Sequence, residues 1–180
     1  MEKVLLVQVD PQGVGLAATQ VGVGISLFII KASKNAKAEV FINPRVIEHK
    51  AQSTKHDTDG KAKIPVLNDL GIPEQSEGRD PIGVKNAVSS FPKKQNKKQP
   101  LEGCLSIPRI WSPVVRAEKV VIEYQDLTGS THKRTFTGLK SVIVQHEMDH
   151  LIGVLFTQRA LEQNSQLYEE KAGKLKKIDY

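Results

Sequence analysis

Val144-Gln145-His146-Glu147-Met148-Asp149-His150-Leu151 is the stretch on which the fold turns. It places two histidines four residues apart, with a glutamate directly after the first, the HExxH pattern. On an α-helix this spacing puts both imidazoles on one face, with the glutamate close enough to reach a ligand held between them. Leu139, Val142, Ile143, His146 and His150 recur at steps of three or four, so the ligand face is expected to be the apolar, core-facing one. Thr137 suits an N-cap just before Gly138, and Gly153 offers a stop. The competing account is a helix whose histidines pack in the core and bond to backbone. Two neutral imidazoles and a carboxylate sharing a buried face are costly without a partner, and a divalent cation is the simplest one.

Composition sets outer limits. A chain of 180 residues makes one domain of ordinary size with a real core. No apolar run has the length needed to cross a bilayer; the longest, Val21 to Ile30, is short and contains two glycines. The N-terminus lacks the regions of a signal peptide, so no membrane partner is expected. The lone cysteine, Cys104, excludes an internal disulfide and points to a reducing compartment. A net charge of +6 and a pI near 9.4 invite a nucleic-acid or ribosome reading, against the plainer one of a solvated lysine-rich surface. Aromatics at 5% argue against a base-stacking platform.

Along the chain, Met1 to Gln12 reads equally as a strand or a helix end. Val21–Lys31 and Glu39–Ile47 read as strands, the second interrupted by Asn43-Pro44. Residues of about 49–100, rich in Lys, Gly, Pro, Asn, Gln and Ser, read as a polar surface insertion in a single domain, with too few apolar residues for their own core. Val114–Gln125 and His132–Thr137 read as strands joined by a turn at Asp126-Leu127-Thr128-Gly129. Ala160–Ile178 reads as a terminal helix with Leu161, Tyr168, Ala172, Leu175 and Ile178 on one stripe, weakened by Gly173.

Two histidines leave a metal site incomplete, since a catalytic ion wants a third protein ligand and one open position. Cys104, His132 and the downstream Glu162, Glu169 and Glu170 are candidates. Cys104 is preferred, as the only thiol, set in the turn-forming stretch Gly103-Cys104-Leu105. A thiolate with two imidazoles accepts Zn²⁺, Fe²⁺, Co²⁺ or Ni²⁺. Such an ion generates hydroxide near neutral pH, and Glu147 is placed to carry the proton to a leaving amine, which is amide hydrolysis. Oxyanion donors are then needed. The Gln20 side chain and the backbone N–H of Leu105 offer them, with the small residues around Gln20 letting a substrate backbone approach.

Three segments together carry a family resemblance. Gly13-Val14-Gly15-Leu16-Ala17-Ala18-Thr19-Gln20, Glu102-Gly103-Cys104-Leu105-Ser106 and Gln145-His146-Glu147-Met148-Asp149-His150 resemble the signature segments of peptide deformylase, in that family's order. The resemblance spans Gly13 to Phe156 outside the insertion. It implies an α+β fold of antiparallel β-sheets wrapped around the helix carrying HExxH. It also implies removal of the formyl group from formyl-methionine on nascent peptides, with Fe²⁺ as the native divalent metal and Zn²⁺ or Ni²⁺ as substitutes. By that pattern Cys104, His146 and His150 hold the metal and Glu147 is the general acid/base. Gln20 and the Leu105 N–H hold the oxyanion, and Gly15 backbone aligns the peptide. Val14, Leu139, Val142 and Ile143 match positions that shape the methionine pocket. A monomer in the cytoplasm of a bacterium, or one encoded by a phage or working in an organelle, is the setting expected.

Two departures from the family pattern stand out. Only twelve residues precede Gly13 where the family has a longer N-terminal region with a helix, so either the reading frame begins late or another segment covers that face. Some fifty residues separate Asn43-Pro44 from the Glu-Gly-Cys motif, which the family links quickly. Two rival functions follow from the same residues. One is a zinc endopeptidase with Glu162, Glu169 or Glu170 as third ligand. The other is an inactive basic module at the ribosome, contacting RNA through Lys171, Lys174, Lys176 and Lys177 of the C-terminal helix.

Overall fold

In Lys119-Val120-Val121-Ile122-Glu123-Tyr124-Gln125, Val120 and Ile122 are fully buried while their neighbours are half-covered, the period-two pattern of a strand with one face on a core. The computed structural model describes residues 1–8, 13–33, 35–50 and 100–179, so the expected insertion lies almost wholly outside the described residues. The elements run α1 (Glu2–Val7), β1 (Gly15–Ala17), a 3-10 turn (Ala18–Val21), β2 (Leu27–Ile30), β3 (Glu39–Lys50), β4 (Leu101–Cys104), β5 (Ile107–Pro113) and β6 (Lys119–Gln125). After them come β7 (Thr131–Thr137), α2 (Gly138–Leu151), α3 (Phe156–Glu162), β8 (Tyr168–Lys171) and β9 (Lys174–Lys177).

Two antiparallel sheets result, one ordered β1-β2-β3-β6-β7 and the other β4-β5-β8-β9. The HExxH helix α2 packs on the first through Val144 and Met148, which join Phe28, Phe41, Val120, Ile122 and Phe136 in the main core. Phe28 and Phe41 stack there with centroids 4.7 Å apart. Cys104, Val114, Phe156 and Ala160 form a second core under the other sheet, and Leu5, Leu16 and Ile29 a third beneath α1. The expected architecture, antiparallel sheets around a central helix with a further helix near the C-terminus, is the one found.

Local readings need correction in four places. The strand expected over Val21–Lys31 is confined to Leu27–Ile30, because Gly22 turns left-handed (φ 76) and Val23 N–H donates back to Ala18 C=O. The strand expected from Val114 begins only at Lys119. Before it, side chains satisfy the backbone: Gln163 brackets Val115 N–H and C=O, and Gln145 does the same for Ala117.

The helix expected over Ala160–Ile178 ends at Glu162, and a hairpin follows. Ala172 (φ 51) and Gly173 (φ 71) make the two-residue left-handed turn that joins β8 to β9, a conformation a helix excludes. Lys171, Lys174, Lys176 and Lys177 therefore lie on a hairpin and not on a basic helix. Finally, the expected core face of Leu139, Val142, Ile143, His146 and His150 is only partly one: Ile143 packs at the edge of the main core and His150 is buried, but the first two are not. Leu139 is 65% exposed and Val142 half-buried, because Val144 and Met148 on the adjacent row take the core positions.

Candidate metal centre

Cys104 ends β4 where the pairing with β5 slips from Gly103↔Trp111 to Cys104↔Ile107, leaving Leu105 and Ser106 as a tight turn. Gly103 makes this possible, since any side chain there would strike the Trp111 ring. The slip turns the thiol toward α2. Cys104 Sγ lies 3.1 Å from His150 Nε2, and His150 Nε2 lies 3.1 Å from His146 Nε2. All three ligand atoms fall within 4.8 Å of one another. A tetrahedral ion with metal–sulfur and metal–nitrogen bonds of about 2.3 and 2.0 Å needs ligand separations of roughly 3.3–3.6 Å, so these residues fit one with small adjustments.

The donor set is also tuned. Glu102 Oε2 sits 3.0 Å from His146 Nδ1, which fixes the proton there and aims the Nε2 lone pair at the cluster. Burial raises the Cys104 thiol, but its hydrogen bonds to His146 and His150 overcome this and bring it down to about 5. Burial likewise lowers His146, and its bonds to Cys104 and Glu102 reverse the sign and raise it to about 10. The two shifts, each driven by the other group, favour a thiolate beside an imidazolium in the metal-free site. Metal loading must displace the His146 proton while the thiol has already lost its own. Apparent metal affinity is then expected to climb with pH between about 5 and 10, with proton release at pH 7. Titration calorimetry in buffers of differing ionisation enthalpy measures this; binding without proton release contradicts it.

Glu147, next to the first histidine on α2, is 4% exposed, and its Oε2 has no hydrogen-bond partner among the described residues. Burial pushes its carboxyl up to about 8, with His146 pulling down and Cys104 pushing up. Gly15 on β1 makes room for this carboxylate, because a Cβ there would collide with Glu147 Oε1. Gln20 in the 3-10 turn accepts Ala17 N–H at Oε1 (2.8 Å), while its Nε2 lies 3.5 Å from Cys104 Sγ. Thr19 ties the same turn to α2 by donating to His150 C=O at 2.8 Å. An orphaned buried carboxylate, an amide donor and three soft-to-borderline ligands thus converge.

Behind the ligands lies a buried ion network with no role in the sequence reading. Arg116 donates Nε and Nη2 to Glu102 (2.8 and 3.0 Å) and Nη1 to Asp149 (2.6 Å). Arg159 binds the other side of Asp149 at 2.8 Å. The signal available in the sequence was a charge inside each apolar motif: Glu102 before Gly103-Cys104, Asp149 between the histidines and Arg116 after Val114-Val115. Burial raises both carboxyls, but hydrogen bonds from His146 and Arg116 hold Glu102 low and those from Arg159 and Arg116 hold Asp149 low.

Arg116→Met removes the arginine shared by two buried carboxylates, leaving Asp149 only Arg159 and Glu102 only His146, and a loss of about 3 kcal/mol in unfolding free energy is expected at neutral pH. The contribution of these groups is present above their ordinary values of 4.5 and 3.8 and disappears as pH falls through their lower folded values. The gap from wild type in denaturant unfolding should accordingly narrow below about pH 4. An equal gap at pH 3 and pH 7 contradicts the assignment.

Of the other sequence candidates, His132 pairs with Asp126 at 2.7 Å, Glu162 with Arg159, Glu169 with Lys171, and Glu170 with Trp111 Nε1. None belongs to the ligand cluster, which removes the basis for the endopeptidase reading. Val14 is 39% exposed at the entry to β1, Ile143 is partly packed on the main core, and Leu105 packs its side chain beneath α1.

Comparison with known proteins bears on this arrangement. Residues 1–166 match the family described as Polypeptide deformylase. The chain is 34% identical over 165 residues to a peptide deformylase of Erythrobacter litoralis, covering 91% of this chain and 75% of that protein. Among solved structures, a peptide deformylase from Legionella pneumophila superposes with a TM-score of 0.58 at 26% identity, covering 91% of this chain and 70% of the other. One from Synechococcus elongatus, in complex with actinonin, gives 0.54 at 30% identity, covering 84% and 62%.

Proposed function

The chain belongs to the peptide deformylase family of metal-dependent hydrolases, and on that premise we propose how its own residues take the formyl group from the formyl-methionine of a nascent peptide. One observation carries the reading: three ligand atoms within 4.8 Å accompany a buried carboxylate oxygen that has no partner among the described residues. Cys104, His146 and His150 hold one divalent ion, Fe²⁺ in the native protein with Zn²⁺ or Ni²⁺ as substitutes. An ion held there would supply Lewis acidity, making the attacking water more acidic and the formyl carbonyl more electrophilic. Glu147 takes the proton of the attacking water and hands it to the amine nitrogen as the carbon–nitrogen bond breaks, so that formate and a free N-terminus leave. Gln20 Nε2 and the Leu105 N–H donate to the carbonyl oxygen as charge gathers there. Gly15 backbone aligns the peptide, and Val14, Leu139, Val142 and Ile143, none of them fully buried, receive the methionine side chain.

The same proposal covers the setting. The chain acts as a cytoplasmic monomer built on one deformylase domain. No described helix is long and apolar enough to cross a membrane. The lysines of the β8–β9 hairpin contact ribosomal RNA, which predicts co-sedimentation with ribosomes that weakens steeply with salt. The central test is formate release from a formyl-Met peptide by anaerobically prepared protein. Activity should vanish with a chelator and return with Fe²⁺. Iron-loaded protein that releases no formate, or turnover indifferent to chelation, overturns the proposal.

A further inference from the structure

Gln20 is held at both ends of its amide. Oε1 accepts from Ala17 N–H at 2.8 Å, and Nε2 donates to Ser106 Oγ at 3.0 Å and, with a longer bond of 3.5 Å, to Cys104 Sγ in the ligand cluster. The last torsion of a glutamine is broad and nearly two-fold, so hydrogen bonds and not rotamer preference decide the plane of its amide. One anchor at Oε1 leaves Nε2 free to swing about that contact. A second anchor stops it. The two N–H bonds of the amide lie in one plane at a fixed angle, so holding one at Ser106 aims the other at the ligand cluster.

We propose that Ser106 is a positioning residue: its hydroxyl sets the Gln20 amide so that the remaining N–H points to where a substrate carbonyl oxygen gathers charge. Ser106 is well sited for this, because its own backbone N–H donates to Cys104 Sγ at 3.4 Å and so locks the turn to the same sulfur. The turn carrying the Leu105 N–H and the hydroxyl steering Gln20 are then one rigid piece, and both oxyanion donors keep their spacing without help from substrate. This rests on the reading of Gln20 as a donor to the formyl oxygen.

The test uses the full chain carrying Ser106→Ala, Ser106→Thr, Gln20→Ala or Ser106→Ala with Gln20→Ala. Ser106→Ala should lower kcat about tenfold, the effect of one lost hydrogen bond, with KM and metal content unchanged. Ser106→Thr, which keeps the hydroxyl, should restore kcat. The double variant should be no slower than Gln20→Ala alone, since Ser106 acts only through Gln20. A second readout needs no turnover. The Gln20 side-chain amide protons, assigned by their disappearance in Gln20→Ala, should be well separated and slow to exchange in zinc-loaded wild type. They should lose that protection in Ser106→Ala and regain it in Ser106→Thr. Wild-type kcat in Ser106→Ala, a loss carried by KM or metal content, additive losses in the double variant, or an unchanged Gln20 amide signal each overturn the proposal. If wild type releases no formate while the amide protons respond as described, the oxyanion reading of Gln20 falls and the positioning by Ser106 stands.

Discussion

Glu147→Gln is expected to retain its metal and lose formate release by about 10²–10⁴-fold in kcat, the usual worth of a positioned general acid/base. The substitution is nearly isosteric and disturbs none of the three ligand atoms. An amide fills the space beside Gly15 as the carboxylate does, yet it cannot take a proton and return it. Stability should change little. The carboxyl is 4% exposed and pushed up to about 8 by burial, so at neutral pH it is already largely uncharged, as the amide is. Elemental analysis, thermal unfolding and formate release on one preparation read all three quantities. A variant as active as wild type, or one that has shed its metal, would falsify the assignment.

Cys104→Ala should abolish metal retention and with it all measurable turnover. The thiolate is the sole ligand in the cluster that does not come from α2, and without it two imidazoles remain with no third donor among the described residues. The rival third ligands are engaged elsewhere, so replacing Glu162, Glu169 or Glu170 should leave metal content intact. A second signature accompanies the loss. The Cys104 hydrogen bond is the foremost of the influences that raise His146 to about 10, opposing burial. In the variant, His146 should titrate at lower pH than in metal-free wild type, which its ring-proton shifts report. Metal held at wild-type occupancy by Cys104→Ala would remove the thiolate from the site.

The legible parts of this molecule were those where chemistry and spacing coincide in a short window. The i, i+4 histidines sit on a helix because that spacing and the residues around it suit one, and the ligand triad follows once a lone thiol is sought. The errors arose where one residue's backbone overrode a plausible pattern. Gly22 cut short the expected strand over Val21–Lys31, and Ala172-Gly173 turned an amphipathic stripe into a hairpin. Leu139 and Val142 looked core-facing because their period is helical. Period alone does not say which of two neighbouring rows meets the sheet, and Val144 and Met148 won. The Arg116 network was illegible for another reason: Glu102, Arg116, Asp149 and Arg159 are spread over 58 positions, and only the fold reveals that they touch.

The ligands come from different layers of the molecule. Cys104 belongs to the sheet β4-β5-β8-β9, whereas α2 leans on the sheet β1-β2-β3-β6-β7. A bound ion would consequently add a further tie between these layers, beside the Glu102–Arg116–Asp149 network that already links them. Part of its binding energy would go into holding those layers in register, and chelation is expected to loosen amide exchange in β4 and β5 before it is felt in β6 and β7.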